Sequence, residues 1–157
     1  MTNQTPSRSD PWRWALAVCG LVVAADQGAK AAVVANLAPH RATGLPLGFQ
    51  FARVANHGVA FGFLGGGGPV VVAVTIAALA FVLVWFALEP QRPWLWLAVG
   101  LIAGGALGNL ADRARTGAVI DFIDPPLWPA FNLADVAITL GALALVVIVI
   151  TPERTRT

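Results

Sequence analysis

The sequence is poor in charge, cysteine and serine, and each shortage excludes a class of protein. Only 11% of its 157 residues are charged, against about 25% in a typical soluble domain, so the chain lacks the polar surface that would cover it in water. The single cysteine, Cys19, excludes an internal disulfide and a thiolate metal cluster. No serine follows position 9, which excludes a serine nucleophile from the remainder of the chain.

Basic clusters and metal-ligand groupings are also missing. The ten lysines and arginines are spread singly, so no basic stripe follows a phosphate backbone and nucleic-acid binding is excluded. The two histidines, His40 and His57, lie in one insert without the cysteine or glutamate neighbours that a zinc site needs. We therefore expect no metal and no cofactor.

The sequence does contain long apolar segments. A membrane-spanning helix needs about 20 mostly apolar residues. Segments of this kind lie at about 12–37, 69–88, 94–112 and 131–150. We therefore predict a single integral membrane domain, an all-α membrane protein with four transmembrane helices.

The insert at about 38–68, between the first two spans, has a different character. Leu47, Phe49 and Phe51 alternate with small or polar residues, which is the two-residue period of a strand. The segment 56–58, Asn-His-Gly, then predicts a turn, after which an extended apolar pattern resumes. We expect a small extracytoplasmic β-sheet in this insert.

The second insert, 113–130, ends in Pro-Pro-Leu-Trp-Pro and is expected to be a stiff loop with Trp128 near the membrane interface. Five lysines and arginines fall on each side of the membrane, so basic residues do not fix the orientation. Because the spans alternate in direction, both inserts lie on the side opposite the chain termini, together with all the candidate site residues.

Three aspartates, Asp112, Asp121 and Asp135, each adjoin an apolar segment. Ionisable groups at membrane depth are costly, and they usually mark a working site inside the bundle. If Asp121 and Asp135 face one another, both cannot ionise at neutral pH, and one keeps its proton while the other acts as a base. Such a pair can activate water for amide hydrolysis. The alternative for Asp135 is electrostatic stabilisation of a helix N-terminus.

The third span carries a stripe of small residues that is followed by polar residues. Gly100, Gly104 and Gly108 recur every four residues and form a stripe that lets a neighbouring helix approach closely. The stripe leads to three polar residues, Asn109, Asp112 and Arg113. These either lie where helices meet at a site, or cap the helix through a carboxylate–guanidinium pair.

Asp26 and Lys30 interrupt the first span one helical turn apart, so they can pair on one face, which we expect to turn inward. Membrane acids also relay protons, and a small proton-coupled transporter or channel subunit is therefore the alternative function. That function favours acids distributed across the membrane depth, whereas these acids cluster at one face. An assembly or scaffold protein would leave the polar clusters without a purpose.

Five motifs in this sequence resemble lipoprotein signal peptidases, also called signal peptidase II. In the family's order they are DQGAK (26–30), NHGVAFGF (56–63), GGALGNLADR (104–113), VIDFID (119–124) and FNLADVAI (131–138). The resemblance implies an intramembrane aspartic endopeptidase that cuts the signal peptide from prolipoproteins just before a diacylglyceryl-modified cysteine. It implies a multi-pass protein of the bacterial inner membrane, with cytoplasmic termini and the active site toward the outer face.

The resemblance also implies roles for individual residues. It makes Asp121 and Asp135 the catalytic dyad. The substrate-binding residues that it implies are Asn56, Asn109, Arg113 and Asn132. Asp26 corresponds to the family's first-helix acid, with a structural or site-supporting role. We group four further residues as supporting: Lys30, Asp112, Gly104 and Gly108. The implied partners are diacylglyceryl-modified prolipoproteins and membrane lipids, and we expect a monomer.

Overall fold

The structure, a computed structural model, describes residues 10–38, 42–44, 46–58 and 67–151. Its four long helices are α1 (Pro11–Asn36), α2 (Gly67–Leu88), α3 (Leu95–Thr116) and α4 (Leu133–Ile150). Each of them is long and apolar enough to cross a membrane. Its strands are β1 (Ala42–Gly44), β2 (Gln50–Asn56) and β3 (Val119–Asp124). The predicted fold class, four transmembrane helices with a small sheet, is confirmed.

Helix α3 lies at the centre of the bundle because small residues let its neighbours approach closely. A Cβ atom added at Gly104 would lie only 2.6 Å from Cβ of Val22 on α1. On another face of α3, Gly105 lies directly against Ala134 and Ile138 of α4. The predicted glycine stripe therefore faces α1, and a further glycine seats α4.

These contacts also fix the helix directions. Gly104 lies beside Val22, and Gly108, one turn later, lies beside Asp26. Because a step toward the C-terminus of α3 is matched by a step toward the C-terminus of α1, the two helices run parallel. Ala134 at the start of α4 packs on Gly105, whereas Gly141 at the middle of α4 packs on Ala98, early in α3, so α4 runs antiparallel to α3. The end of α1, the end of α3 and the start of α4 therefore meet at one end of the bundle.

The sheet lies at this same end and is antiparallel in the order β1-β2-β3. Gln50 on β2 pairs with Asp124 on β3, and Asn56 pairs with Val119, with a register irregularity between Phe51 and Val54. The second insert is thus not the stiff loop that we predicted. Its β-branched and aromatic residues from Val119 favour a strand, and they form the sheet edge that carries Asp121.

Other boundaries also differ from the prediction. The strand expected from Leu47 onward begins at Gln50, because Pro46–Gly48 forms a 3-10 turn in which Leu47 and Gly48 have φ values of 65° and 79°. Helix α3 runs past residue 112 and ends where Gly117, with φ 77°, takes the left-handed conformation that glycine favours. The extended segment expected after the turn at 56–58 lies outside the described residues.

Candidate active site

Asp121 lies in the middle of β3 and is almost completely buried, with 1% of its surface exposed. Both of its carboxylate oxygens accept hydrogen bonds from asparagine side chains. Asn132 Nδ2 donates to Oδ1 at 2.6 Å, and Asn56 Nδ2 donates to Oδ2 at 2.8 Å. The Asn56 amide is itself oriented, because its Oδ1 accepts the main-chain N–H of Gly58 at 2.8 Å. The turn predicted at 56–58 therefore presents a donor to this acid.

Asp135 lies in the first turn of α4, where it forms a capping box with Asn132. The Asp135 N–H donates to Asn132 Oδ1 at 3.0 Å, and the Asn132 N–H donates to Asp135 Oδ2 at 3.2 Å. The other oxygen, Oδ1, accepts Asn109 Nδ2 at 2.8 Å. Oδ2 of Asp135 thus stabilises the N-terminus of α4, and Oδ1 contacts the buried amide of Asn109.

Two asparagines, Asn109 on α3 and Asn132 before α4, connect the two acids. Asn132 Nδ2 donates to Asn109 Oδ1 at 3.2 Å as well as to Asp121. A chain of hydrogen bonds therefore runs from Asp121 through Asn132 and Asn109 to Asp135. Asn132 donates to Asp121 and Asn109 donates to Asp135, and the two amides are themselves hydrogen-bonded.

The electrostatic surroundings change the protonation of Asp121. The pKa of Asp121 is raised from 3.8 to about 6, chiefly by burial and to a smaller extent by the nearby charge of Asp135. The amide donors of Asn56 and Asn132 and the charge of Lys30 act in the opposite direction, but burial is the largest effect. An acid with a pKa near 6 can both hold and release a proton in the neutral range, as general acid–base catalysis requires.

A second buried cluster, the lysine triad (Asp26, Lys30 and Asp112), lies beside the asparagine pair. Lys30 Nζ is 2.8 Å from Asp26 Oδ2 and 2.7 Å from Asp112 Oδ2. The expected pair of Asp26 and Lys30 is therefore present and turned inward. Of the two alternatives for Asp112, the pair with Arg113 is not the one formed: Asp112 pairs with Lys30, because successive residues on a helix point in different directions.

Arg113 is half-buried, and its Nη1 lies 3.5 Å from the main-chain oxygen of Asn109. Gln27 is the polar residue that sequence reasoning missed. Its Nε2 donates to Asp112 Oδ1 at 3.0 Å and to Asp26 Oδ2 at 3.2 Å. Its position between Asp26 and Lys30 in an apolar span was the available signal, since an isolated amide there requires partners.

The lysine triad and the acids form one polar cluster that is closed by internal hydrogen bonds. Within the described residues, every buried side-chain nitrogen and oxygen has a hydrogen-bond partner. In the same part of the chain, no group of three or more His, Cys, Asp and Glu side chains is arranged to hold a metal ion. The predicted site residues that meet here are Asp26, Lys30, Asn56, Asn109, Asp112, Asp121, Asn132 and Asp135.

Comparison with known proteins places this arrangement in a class. The chain matches the family model of signal peptidase (SPase) II over residues 18–151. It is 44% identical to a lipoprotein signal peptidase of Pelotomaculum thermopropionicum, with 82% of this chain and 86% of that protein covered. It is 43% identical to one of Moorella thermoacetica, with 80% of this chain and 85% of that protein covered.

A solved structure has the same architecture. A bacterial membrane enzyme, determined by the in meso method at 1.9 Å resolution, superposes with a TM-score of 0.78 at 27% identity, covering 88% of this chain and 94% of its own. The four apolar helices, the relatives and this solved structure together place the chain among bacterial multi-pass membrane enzymes. The chain belongs to the signal peptidase II family and is a peptidase.

Proposed function

We propose that this peptidase removes signal peptides from lipid-modified prolipoproteins and uses Asp121 and Asp135 as an aspartic dyad. The observation that carries this proposal is the hydrogen-bonded chain from Asp121 through Asn132 and Asn109 to Asp135. It brings two carboxylates of different chain segments to one end of an apolar bundle. Charge repulsion across such a site favours the state in which the pair shares one proton.

In the proposed reaction, Asp121 holds the proton, because burial raises its pKa to about 6. The ionised Asp135 takes a proton from water, the hydroxide adds to the scissile carbonyl carbon, and Asp121 donates its proton to the carbonyl oxygen. The tetrahedral intermediate then expels the amine as the C–N bond breaks. The proton that Asp135 gained passes to this amine, and Asp121 recovers its own from the collapsing hydroxyl group.

The substrate class in this proposal comes from the relatives, which are named lipoprotein signal peptidases. We propose that the cut falls just before a diacylglyceryl-modified cysteine and that Asn56, Asn109, Asn132 and Arg113 contact the peptide around it. An acyl chain on this cysteine would remain in the bilayer while the peptide bond reaches the polar end of the bundle. A proton-coupled transporter is not favoured, because α2 has no ionisable residue and the family is one of peptidases.

Substitution of each dyad acid tests the mechanism. Asp121→Asn and Asp135→Asn each keep the shape of the side chain but cannot transfer the proton, so each should lower kcat for a lipid-modified prolipoprotein peptide by at least about 10⁴-fold. Asp124→Asn is the matched control on the same strand, since within the described residues its carboxylate takes no part in the polar cluster. The mechanism is contradicted if Asp121→Asn still cleaves well, or if Asp124→Asn is equally inactive while remaining folded.

We further propose that both termini and the α2–α3 turn are cytoplasmic, with the sheet outside. In a Cys19→Ala protein, a membrane-impermeant thiol reagent applied to intact cells should label a cysteine at Leu127, which is 95% exposed beside the sheet. It should not label a cysteine at Gln91, in the turn at the opposite end. Strong external labelling at position 91 would reverse the topology.

A further inference from the structure

Each carboxylate in the lysine triad also holds the main chain next to one acid of the dyad. The Ala134 N–H donates to Asp26 Oδ1 at 3.0 Å, and Ala134 directly precedes Asp135. The Ile120 N–H donates to Asp112 Oδ2 at 3.3 Å, and Ile120 directly precedes Asp121. Both main-chain anchors, the N–H groups of Ala134 and Ile120, thus lie one residue before a dyad acid. The first is at the start of α4 and the second is on β3.

Lys30 joins these two anchors. Its ammonium lies 2.8 Å from Asp26 and 2.7 Å from Asp112, and only 2% of the residue's surface is exposed. Without the ammonium, the two buried carboxylates would repel one another, with only the amide of Gln27 between them. Lys30 therefore neutralises the two carboxylates that hold the main chain of β3 and of the start of α4.

Lys30 also fixes the orientation of an amide donor. Its Nζ donates to Asn109 Oδ1 at 3.0 Å, where Asn132 Nδ2 also donates. A reversed Asn109 amide would turn its NH2 toward two donors and its oxygen toward the Asp135 carboxylate. Both contacts would be repulsive, because an ammonium donates only and a carboxylate accepts only. The Asn109 NH2 is therefore directed at Asp135.

We propose that Lys30 is a positioning residue of the dyad, which holds Asn109 Oδ1 and thereby directs the Asn109 amide donor at Asp135. This inference rests on the proposed aspartic mechanism. It assigns Lys30 a role in the reaction rate that is separate from its contribution to stability. Misplacement of reacting groups by about 1 Å can lower a rate by about 100-fold.

A cycle of variants tests this role in an Asp112→Asn background. Adding Lys30→Met there removes one positive charge after one negative charge has been removed, so the formal charge of the buried triad is the same as in the unmodified protein. We expect Lys30→Met to lower kcat by about 100-fold with KM changed less than about 3-fold. In protein that also carries Asn109→Ala, the same substitution should lower kcat by less than about 3-fold, because the amide through which Lys30 acts is gone.

Equal losses with and without Asn109 would overturn the positioning role and leave Lys30 a structural ion-pair partner. An unchanged kcat would overturn it as well. Failure of the proposed function is distinguishable, because the unmodified protein and the Asp112→Asn protein would then not cleave the lipid-modified peptide at all. Melting temperatures of every variant, measured in detergent, separate lost folding from lost positioning.

If the Lys30→Met protein does not fold, the unmodified protein still decides the question. In ¹⁵N-asparagine-labelled protein, the Asn109 side-chain amide is identified by its loss in Asn109→Ala. The two protons of any asparagine amide give separate signals, because rotation about the C–N bond is slow. The proposal requires that one of the two Asn109 signals be shifted downfield by its hydrogen bond to Asp135. Two signals at the positions of a solvent-exposed asparagine amide would mean that the amide is not held on Asp135, and would overturn the proposal.

Discussion

Helices α2 and α3 are both 22 residues long, but their environments differ completely. Helix α2 is the more apolar, with a mean hydropathy of 2.8 against 1.4 for α3. Nevertheless, α3 buries 11 of its residues against other elements, whereas α2 buries only Val82 and Phe86 among its described residues. The less hydrophobic helix therefore forms the core of the molecule.

This difference in packing between α2 and α3 follows from the lipid that surrounds the helices. Lipid tails are as apolar as leucine, so burying leucine against another helix gains little, and close approach and polar contacts decide which helices associate. Helix α3 supplies both, with glycines at 100, 104, 105 and 108 followed by Asn109 and Asp112. In α2, residues such as Val74 and Phe81 are 63% and 69% exposed and face the lipid. The packing of the bundle thus depends on α3, which also carries Asn109 of the proposed active site, and α2 has fewer buried contacts.

The largest expected difference between α2 and α3 is in how well each helix tolerates a bulky side chain at a glycine. In Gly104→Leu, even the first added carbon meets Val22 Cβ at 2.6 Å and the main-chain oxygen of Cys19 at 2.9 Å. We expect a loss of more than about 3 kcal/mol in the free energy of unfolding. Gly68→Leu in α2 is the matched control, because a Cβ there meets no atom within 4 Å.

Thermal unfolding in detergent measures both variants. Gly68→Leu should unfold within a few degrees of the unmodified protein, whereas Gly104→Leu should be poorly recovered or strongly destabilised. Equal destabilisation by the two substitutions would remove the distinction between a tightly packed central helix and a lipid-facing one.

A smaller effect should follow from Asp112→Asn. This change removes one of the two carboxylates that neutralise Lys30 but leaves Asp26 at 2.8 Å, so the ammonium is not left unpaired. We expect destabilisation by about 1–3 kcal/mol, measured as a lower melting temperature with cleavage retained. Arg113→Gln is the control, because Arg113 is the adjacent cation and the ion pair is formed with Lys30. If Arg113→Gln lowers the melting temperature as much, the assignment of the partner is wrong.

The sequence predicted the parts of the fold that depend on local pattern. The apolar spans were read from length and composition, and the glycine stripe from its four-residue spacing. The pair of Asp26 and Lys30 followed from helical geometry alone. These features are determined within one segment, so neighbouring helices do not change them.

Other parts depended on contacts between distant segments and were not predictable in the same way. The strand at Val119 forms because β2 offers it a pairing edge, and β2 is more than sixty residues earlier. The partner of Asp112 is Lys30, which is on another helix, whereas the nearest cation in the sequence is Arg113. The interactions of Gln27 likewise require the approach of α1 to α3, which the glycines permit but do not by themselves identify.

The smallest expected effect concerns pH, and it should arise where α3 leads into β3, because Asp121 lies on β3 and α2 contains no ionisable residue. The pKa of Asp121 lies at about 6, above its ordinary 3.8, chiefly because of burial. The folded protein therefore binds this proton more tightly than the unfolded chain does. For this group, the free energy of unfolding should be greatest at low pH and should decrease between about pH 4 and pH 6, a dependence that Asp121→Asn should remove.

The same shift predicts the pH dependence of catalysis. Since Asp121 must hold its proton, kcat should fall as pH rises through about 6. The amide of Asn56 lowers the pKa of Asp121 by donating a hydrogen bond to it. Asn56→Ala should therefore move the alkaline limb of the pH–rate profile to higher pH, whatever its effect on the maximal rate. A limb that moves to lower pH would contradict this assignment, since loss of a donor to the carboxylate favours its protonated form.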